Sequence, residues 1–220
     1  MAKKNRGLQA WYFLARYVTM FLFKLMYRYK VIGKENVPKT GRLLVCANHS
    51  TMADPIFLGS AIPGRQMKFV AKAELFNNKL LGGFLGSLGA FPIARGTGGA
   101  EGIQKAMHFL EDGHAVCMFP EGTRSKTGEL LNPKNGAAML AARTGCTVLP
   151  VAITAKGGLR PKLFRKMIIK IGKPIPFEDL GLSENAGASQ YRNATRVIFD
   201  SIRALREESL AIMEKGGKAV

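Results

Sequence analysis

The stretch "RLLVCANHSTMADPIFLGSAI", residues 42–62, predicts a β-strand that runs through a short polar loop into an α-helix. Residues 42–48 are mostly apolar, which is typical of a strand buried in an α/β sheet. Pro55 indicates where the helix begins, because proline is favoured at the first helical position. The polar loop between them follows the carboxyl end of a strand, where α/β proteins collect their functional residues.

Strand-like and helix-like runs alternate along the rest of the chain. This alternation predicts an α/β fold with a single mixed, largely parallel sheet covered by helices. We place this domain at residues 31–215, after an N-terminal segment of residues 1–30. The remaining predicted strands are residues 29–33, 67–72, 115–120, 147–154 and 166–172, and the other predicted helices are residues 100–113, 135–145 and 189–215.

The net charge of +18 indicates an anionic partner, which is nucleic acid, a membrane surface or an anionic substrate. The aromatic residues do not resemble an RNA-binding sheet, and no helix-turn-helix or zinc-finger spacing is present, so we expect no nucleic acid partner. The three cysteines lie in or beside apolar runs without a C-x-x-C pattern. They are interpreted as buried reduced thiols in a cytosol-facing protein, and no metal site is expected.

The stretch of residues 7–33, which covers most of the N-terminal segment and the first predicted strand, is rich in aromatic, aliphatic and basic residues. Arg16 and Lys24 interrupt its apolar run, which is therefore shorter than the roughly 18 residues of a membrane span. Eight Lys and Arg residues precede the first acid, Glu35. We favour a basic amphipathic helix anchored on anionic lipid. The alternative is an ordinary amphipathic helix packed on the domain.

His49 and Asp54 place an imidazole and a carboxylate on one short loop. A carboxylate that binds one ring nitrogen fixes the tautomer, and the other nitrogen can then take a proton from a hydroxyl. The alternative is structural. Asp54 is a good N-cap for a helix that begins at Pro55, and His49 is then an ordinary loop residue.

The stretch "FPEGTRS", residues 119–125, follows another apolar strand. A glycine there lets the backbone approach a ligand, two hydroxyls offer hydrogen bonds, and an arginine presents a planar fork to phosphate. The glutamate is expected to orient the arginine or a substrate hydroxyl, and the alternative is a surface turn with a chance charge pair. The candidate binding residues are Glu121, Gly122, Thr123, Arg124 and Ser125, with Arg95 after the apolar run "GAFPI".

Four motifs resemble the glycerolipid acyltransferases, the group that includes the 1-acylglycerol-3-phosphate acyltransferases. "NHSTMAD" matches their Asn-His-x4-Asp signature, and "FPEGTRS" matches a second signature in full. "GAFPIAR", which ends at Arg95, and "TVLPVAI", which contains Pro150, resemble two further blocks of that family. Four ordered blocks within roughly residues 25–175 are far more specific than a lone H-x4-D.

The resemblance implies acyl transfer from acyl-CoA or an acyl-carrier protein to the free hydroxyl of a lysophospholipid or glycerol phosphate. His49 would be the general base and Asp54 would orient it, with no covalent acyl-enzyme and no cofactor. Arg124, with its neighbours at 121–123, would hold the phosphate and glycerol of the acceptor, and Arg95 is a second candidate for the phosphate. The leading interpretation is acylation of 1-acylglycerol 3-phosphate, which makes phosphatidic acid. Glycerol 3-phosphate, another lysophospholipid or an amino-acid lipid stays open as the acceptor, and the oxyanion donor is not assigned.

The same resemblance implies a peripheral or monotopic protein on the cytoplasmic face of the cell membrane, anchored through an N-terminal helical segment. The run of residues 156–173 carries seven basic residues and no acid. We leave open whether it contacts headgroups or is a solvated strand edge. A non-catalytic basic binding protein does not explain the paired motifs, and a hydrolase would lack a G-x-S-x-G nucleophile.

Overall fold

The structure is a computed structural model that describes residues 14, 17–18, 21–93, 98–183 and 185–215. Its strands are β1 (Arg28–Ile32), β2 (Leu43–Ala47), β3 (Met67–Lys72), β4 (Ala90–Ile93), β5 (Ala115–Met118), β6 (Thr147–Ala155) and β7 (Lys166–Ile171). Residues 21–26 are helical, and the helices that follow are α1 (Asp54–Ala61), α2 (Lys79–Ser87), α3 (Gly98–Glu111), α4 (Gly136–Thr144) and α5 (Ala188–Lys215). Short 3-10 turns lie at Lys34–Asn36, Ala73–Phe76, Lys156–Gly158 and Phe177–Leu180.

The strands form one sheet in the order β1-β7-β6-β2-β5-β3-β4. Every neighbouring pair is parallel except β6 and β7, which are antiparallel. The predicted mixed, largely parallel sheet is therefore confirmed. Because of the antiparallel pair, β1 and β7 run opposite to the other five strands.

The sheet has two buried faces, and β2 shows why. Its five residues are all buried and alternate between the two faces. Leu43 and Val45 belong to the core cluster that includes residues of α1, whereas Leu44 and Cys46 belong to the cluster formed with α3, α4 and α5. Helices on both sides explain the continuous apolar run in the sequence.

The end of the N-terminal segment packs against α1. Phe23 and Tyr27 stack on each other, and each makes an edge contact with Phe57 at 5.4 and 4.9 Å between ring centroids. The opposite side exposes large apolar residues such as Phe21 and Leu25. None of the helices within the described ranges is long and apolar enough to cross a membrane.

The domain boundary at residue 31 stays a prediction, and β1 begins at Arg28. Much of the predicted amphipathic helix lies outside the described residues.

Helix α2 is not among the helices predicted from the sequence. Its start signal is Asn78, whose side chain accepts hydrogen bonds from the backbone N–H groups of Leu80 and Leu81. Gly82 allows close packing, because a Cβ atom there would lie 2.9 Å from the Cα of Phe76. At Gly83 and Gly86 a Cβ would meet nothing within 4 Å, so packing does not require glycine there.

Arg65 ties together the loops at the amino ends of three parallel strands. Its buried guanidinium donates to the carbonyl oxygens of Pro38, Gly41 and Gly113 at 3.0, 2.6 and 2.9 Å. These bonds to backbone acceptors stabilise the loops at the amino ends of the parallel strands. The polar loops that carry the candidate functional residues lie at the carboxyl ends of the strands.

Replacement of Gly89 by alanine is expected to destabilise the protein more than replacement of Gly41. Both glycines have positive φ values, 93° and 84°, so alanine costs about 1–2 kcal/mol at either position. At Gly89 the new Cβ would also lie 2.0 Å from the carbonyl oxygen of Met67, whereas at Gly41 it would meet nothing within 4 Å. We expect Gly89→Ala to lower the free energy of unfolding by about 3 kcal/mol or more, measured by denaturant titration. Equal losses in the two variants would contradict this account.

Candidate active site

The site lies at the carboxyl ends of β2, β5 and β6. Asn48 follows β2 and extends its ladder, because its amide nitrogen donates to the carbonyl oxygen of Ile153 at 2.9 Å while its amide oxygen accepts from the N–H of Ile153 at 2.8 Å. This side chain pairs with β6 as a backbone group would. The pairing fixes the point at which the chain leaves the sheet, and hence the position of His49.

The structure brings His49 and Asp54 together. The imidazole Nδ1 lies 2.8 Å from a carboxylate oxygen of Asp54. That carboxylate is fully buried and also accepts from the N–H groups of Ser50 and Thr51 and from the Thr51 hydroxyl, at 2.6, 2.8 and 2.6 Å. We assign the ring proton to Nδ1, because a carboxylate only accepts there, which leaves the lone pair on Nε2.

The interpretation of Asp54 as the N-cap of the following helix is wrong. Helix α1 begins at Asp54 itself, Ala53 occupies the cap position, and no side chain caps the helix. The Asp54 carboxylate instead turns back to the donors of the loop that precedes it. These donors compete successfully because they include the imidazole and three groups of the same tight turn.

Phe119 packs against one face of the imidazole ring of His49. Its ring stacks on that of His49 with 3.9 Å between centroids and 14° between planes. The sequence motifs assign no separate role to this residue, and the available signal is an aromatic residue directly after a strand. The stacking and the Asp54 bond together fix both the plane and the rotation of the ring.

Glu121 joins the two loops of the site. It is 2% exposed, and its two oxygens accept from the backbone N–H groups of His49 and Leu131, each at 2.8 Å. Burial raises the pKa of this carboxyl group, and the two backbone hydrogen bonds oppose that shift. Its observed contacts are structural, and it forms no ion pair with Arg124, which the structure also describes, so the expectation that it orients this arginine is wrong for the structure. The predicted contact of Glu121 with a substrate hydroxyl stays a prediction.

The rest of the motif divides into exposed and buried residues. Gly122, Thr123 and Arg124 are exposed, and within the described part of the chain Arg124 makes no hydrogen bond or ion pair. Ser125 is buried, donates its N–H to the His49 carbonyl at 2.8 Å, and accepts from the N–H of Gly128 at 3.0 Å. Arg95 lies outside the described residues.

Two further cations approach the site, and the sequence motifs did not identify them. The Lys134 N–H donates to the Pro120 carbonyl at 2.8 Å, and its ammonium lies 3.2 Å from where a Cβ on Gly122 would be. Arg160 donates from Nε to the carbonyl oxygen of Ser50 at 2.9 Å. The site therefore has more positive charge beside His49 than Arg124 alone supplies.

A cavity of about 1140 Å³ opens beside His49. Its polar end includes His49, Gly122 and Lys134. Its walls are mostly apolar and include Phe69, Val70, Ile93, Ile103, Met118 and Met139. Cys117 also lines it, and burial raises the pKa of this thiol, so that a nucleophilic thiolate is disfavoured. The arrangement places an oriented imidazole where a polar ligand head and an apolar chain can meet.

Comparison with known proteins gives the same family from sequence and from structure. A family model described as Acyltransferase matches residues 28–154. The 1-acyl-sn-glycerol-3-phosphate acyltransferase of Bacillus subtilis is 36% identical over 66% of this chain and 73% of the relative. The chloroplastic 1-acyl-sn-glycerol-3-phosphate acyltransferase LPAT1 of Arabidopsis thaliana is 31% identical over 68% of this chain and only 42% of the relative.

A solved structure has a similar fold over nearly the whole chain. It is the 1-acyl-sn-glycerophosphate (LPA) acyltransferase PlsC from Thermotoga maritima, with a TM-score of 0.68 and 26% identity. The similarity covers 93% of this chain and 83% of that one. With its family match over more than half its length, this chain belongs to the acyltransferase family.

Proposed function

We propose that this protein transfers an acyl chain from an acyl thioester to the free sn-2 hydroxyl of 1-acylglycerol 3-phosphate, which makes phosphatidic acid for phospholipid synthesis. The observation that carries the proposal is the 2.8 Å bond between His49 and Asp54 beside a largely apolar cavity. The names of the relatives, which are 1-acyl-sn-glycerol-3-phosphate acyltransferases, support this choice of acceptor. The donor is acyl-CoA or an acyl-carrier protein, and no cofactor takes part.

In this mechanism His49 acts as general base. Its Nε2 takes the proton of the acceptor hydroxyl as the hydroxyl oxygen attacks the thioester carbonyl carbon. The buried Asp54 carboxylate stabilises the imidazolium that forms. When the tetrahedral intermediate collapses, the carbon–sulfur bond breaks and the thiolate leaves with the proton from Nε2. The new ester bond is then complete, and His49 returns to its starting state.

In this proposal the cations bind the phosphate of the acceptor, and the cavity binds an acyl chain. Arg124 is exposed without a protein partner among the described residues, which suits a bidentate contact with the phosphate. Lys134 adds a point charge from the cavity side. The apolar walls of the cavity receive an acyl chain. The predicted contributions of Arg95, Glu121, Thr123 and Ser125 to acceptor binding belong to this proposal.

We place the protein at the cytoplasmic face of the cell membrane, as a peripheral or monotopic protein on an anionic surface. The net charge of +18 and the exposed Tyr17, Phe21 and Leu25 of the N-terminal segment support this location. A lysophospholipid acceptor resides in the bilayer, so the enzyme has to reach that surface. The polar loops at the carboxyl edge of the sheet would then meet the lipid headgroups.

His49→Ala is expected to lower kcat by about 10²–10⁴-fold, because it removes the general base. Phosphatidic acid is measured from 1-acylglycerol 3-phosphate and acyl-CoA in mixed micelles, and then with an acyl-carrier-protein donor. The matched control is His108→Ala, since the side chain of His108 is 73% exposed on α3. Undiminished turnover in His49→Ala would refute the mechanism. A wild type inactive with both donors and with glycerol 3-phosphate would refute the proposed function.

Arg124→Ala is expected to raise KM for the acceptor about 10–100-fold with little change in KM for the donor. The reason is the loss of a charge-assisted bond to phosphate, which contributes about 1.5–3 kcal/mol. Steady-state kinetics with each substrate varied in turn provide the measurement. Lys126→Ala removes a neighbouring exposed cation and serves as the control. A larger effect on the donor than on the acceptor would reassign Arg124.

Glu121→Gln is expected to lower both stability and kcat. The amide has one acceptor oxygen and would set its NH2 group against the N–H of His49 or of Leu131, at a cost of about 1–3 kcal/mol. Thermal unfolding and turnover are measured together, with the exposed Glu129→Gln as control. Unchanged stability with a raised KM for the acceptor would instead support direct substrate binding by Glu121.

A further inference from the structure

The loop between β6 and β7, residues 156–165, exposes three large apolar side chains. Leu159 is 50% exposed, Leu163 is 48% exposed and Phe164 is 70% exposed. Single exposed apolar residues are ordinary, but several on one loop among charged residues mark a surface that contacts something apolar. This loop therefore differs from a solvated connection.

The backbone fixes Phe164 in its exposed position. Its φ of 59° is left-handed, and it is the single non-glycine residue with positive φ within the described ranges. A bulky side chain in that conformation is an outlier. Its N–H donates to the carbonyl oxygen of Met26 at 2.8 Å, so the loop is tied to the end of the N-terminal segment. The phenyl ring is thus held outward by a defined contact.

The sheet topology places this loop at the same edge as the site. Strands β1 and β7 are parallel, with Arg28 opposite Lys166, so the residues before both strands lie side by side. Because β7 is antiparallel to β6, its amino end lies beside the carboxyl end of β6, near the polar loops. The bond from Arg160 to the carbonyl oxygen of Ser50 joins the two regions directly.

The apolar surface of the loop continues onto the N-terminal segment. Phe21 and Leu25 are 70% and 68% exposed, and Met26 is the residue that accepts the bond from Phe164. Positive charge is concentrated in the same region: residues 156–166 carry five basic side chains and no acid. Adjacent apolar and basic groups are the composition that binds an anionic lipid surface.

We propose that residues 156–165 form a second membrane-contacting element beside the N-terminal segment. Leu159, Leu163 and Phe164 insert among the lipids of an anionic bilayer, and the flanking cations bind the headgroups. The loop thereby sets the carboxyl edge of the sheet, with His49, against the surface that holds the acceptor. This last consequence rests on the proposed function, whereas the membrane contact does not.

The three cysteines of the chain are buried, which permits selective labelling of an introduced surface thiol. Phe164→Cys is labelled with an environment-sensitive fluorophore and mixed with vesicles of equal parts phosphatidylglycerol and phosphatidylcholine. We expect a blue shift and quenching by lipids spin-labelled in the acyl chain. The matched control is Val197→Cys, at an exposed apolar residue of α5. Helix α5 packs on the face of the sheet opposite to α1 and the N-terminal segment. This label is expected to show neither change.

The second measurement is vesicle partition of the full chain carrying Leu163→Ser with Phe164→Asn. Asparagine tolerates positive φ, so the backbone of the loop is kept. We expect the partition coefficient between vesicles and water to fall at least about tenfold, because the two apolar side chains that would insert into the bilayer are lost. Val197→Ser is expected to bind as the wild type does. Thermal unfolding verifies that each variant is folded.

Several outcomes would overturn the proposal. The first is wild-type protein that does not bind anionic vesicles. The second is a label at position 164 whose fluorescence stays that of a label in water although the protein sediments with the vesicles. The third is a double variant that binds vesicles as the wild type does. Loss of turnover only with a carrier-protein donor, at unchanged partition, would assign the loop to the donor instead. Turnover of a monomeric short-chain acceptor reports separately on the proposed function, so an inactive wild type that still inserts position 164 would leave the membrane contact intact.

Discussion

The buried carboxylate of Asp54 is the constraint on which the rest of the site depends. A charge without solvent is tolerated only when its hydrogen bonds are satisfied, and here the donors are the His49 ring, two backbone N–H groups and a hydroxyl. The loop has to fold tightly around that carboxylate. The imidazole is consequently oriented before any ligand arrives, which is the condition for efficient proton transfer.

A second buried carboxylate extends this order to the neighbouring loop. The Glu121 carboxylate accepts one hydrogen bond from the N–H of His49 and one from the N–H of Leu131, while Ser125 donates its N–H to the His49 carbonyl oxygen. The backbone of the histidine is thus held from the loop after β5, and its ring is covered by Phe119 from the same loop. Because Glu121, Phe119 and Ser125 make these structural contacts, the exposed Arg124 is available for the proposed contact with the phosphate of the acceptor.

The one antiparallel pair in the sheet decides what surrounds the site. If β7 ran parallel to β6, the loop before it would lie at the opposite edge, away from His49. Since the pair is antiparallel, residues 156–165 and the end of the N-terminal segment meet beside the carboxyl ends of the central strands. The loops of the proposed active site, basic side chains and exposed apolar residues therefore share one edge, which suits the proposed reaction on a lipid surface.

The alternation of strands and helices and the two polar loops that hold His49 and Arg124 can be predicted from the sequence. Those features follow from local apolar periodicity and from motif spacing, which neighbouring residues encode. Three further features depend on the folded chain: Asp54 serves the loop and not the helix cap, Phe119 stacks on the imidazole, and Arg160 reaches Ser50. The contacts of Phe119 and Arg160 join residues 70 or more positions apart, and Asp54 is buried only once the sheet has assembled. A local pattern carries no information about either.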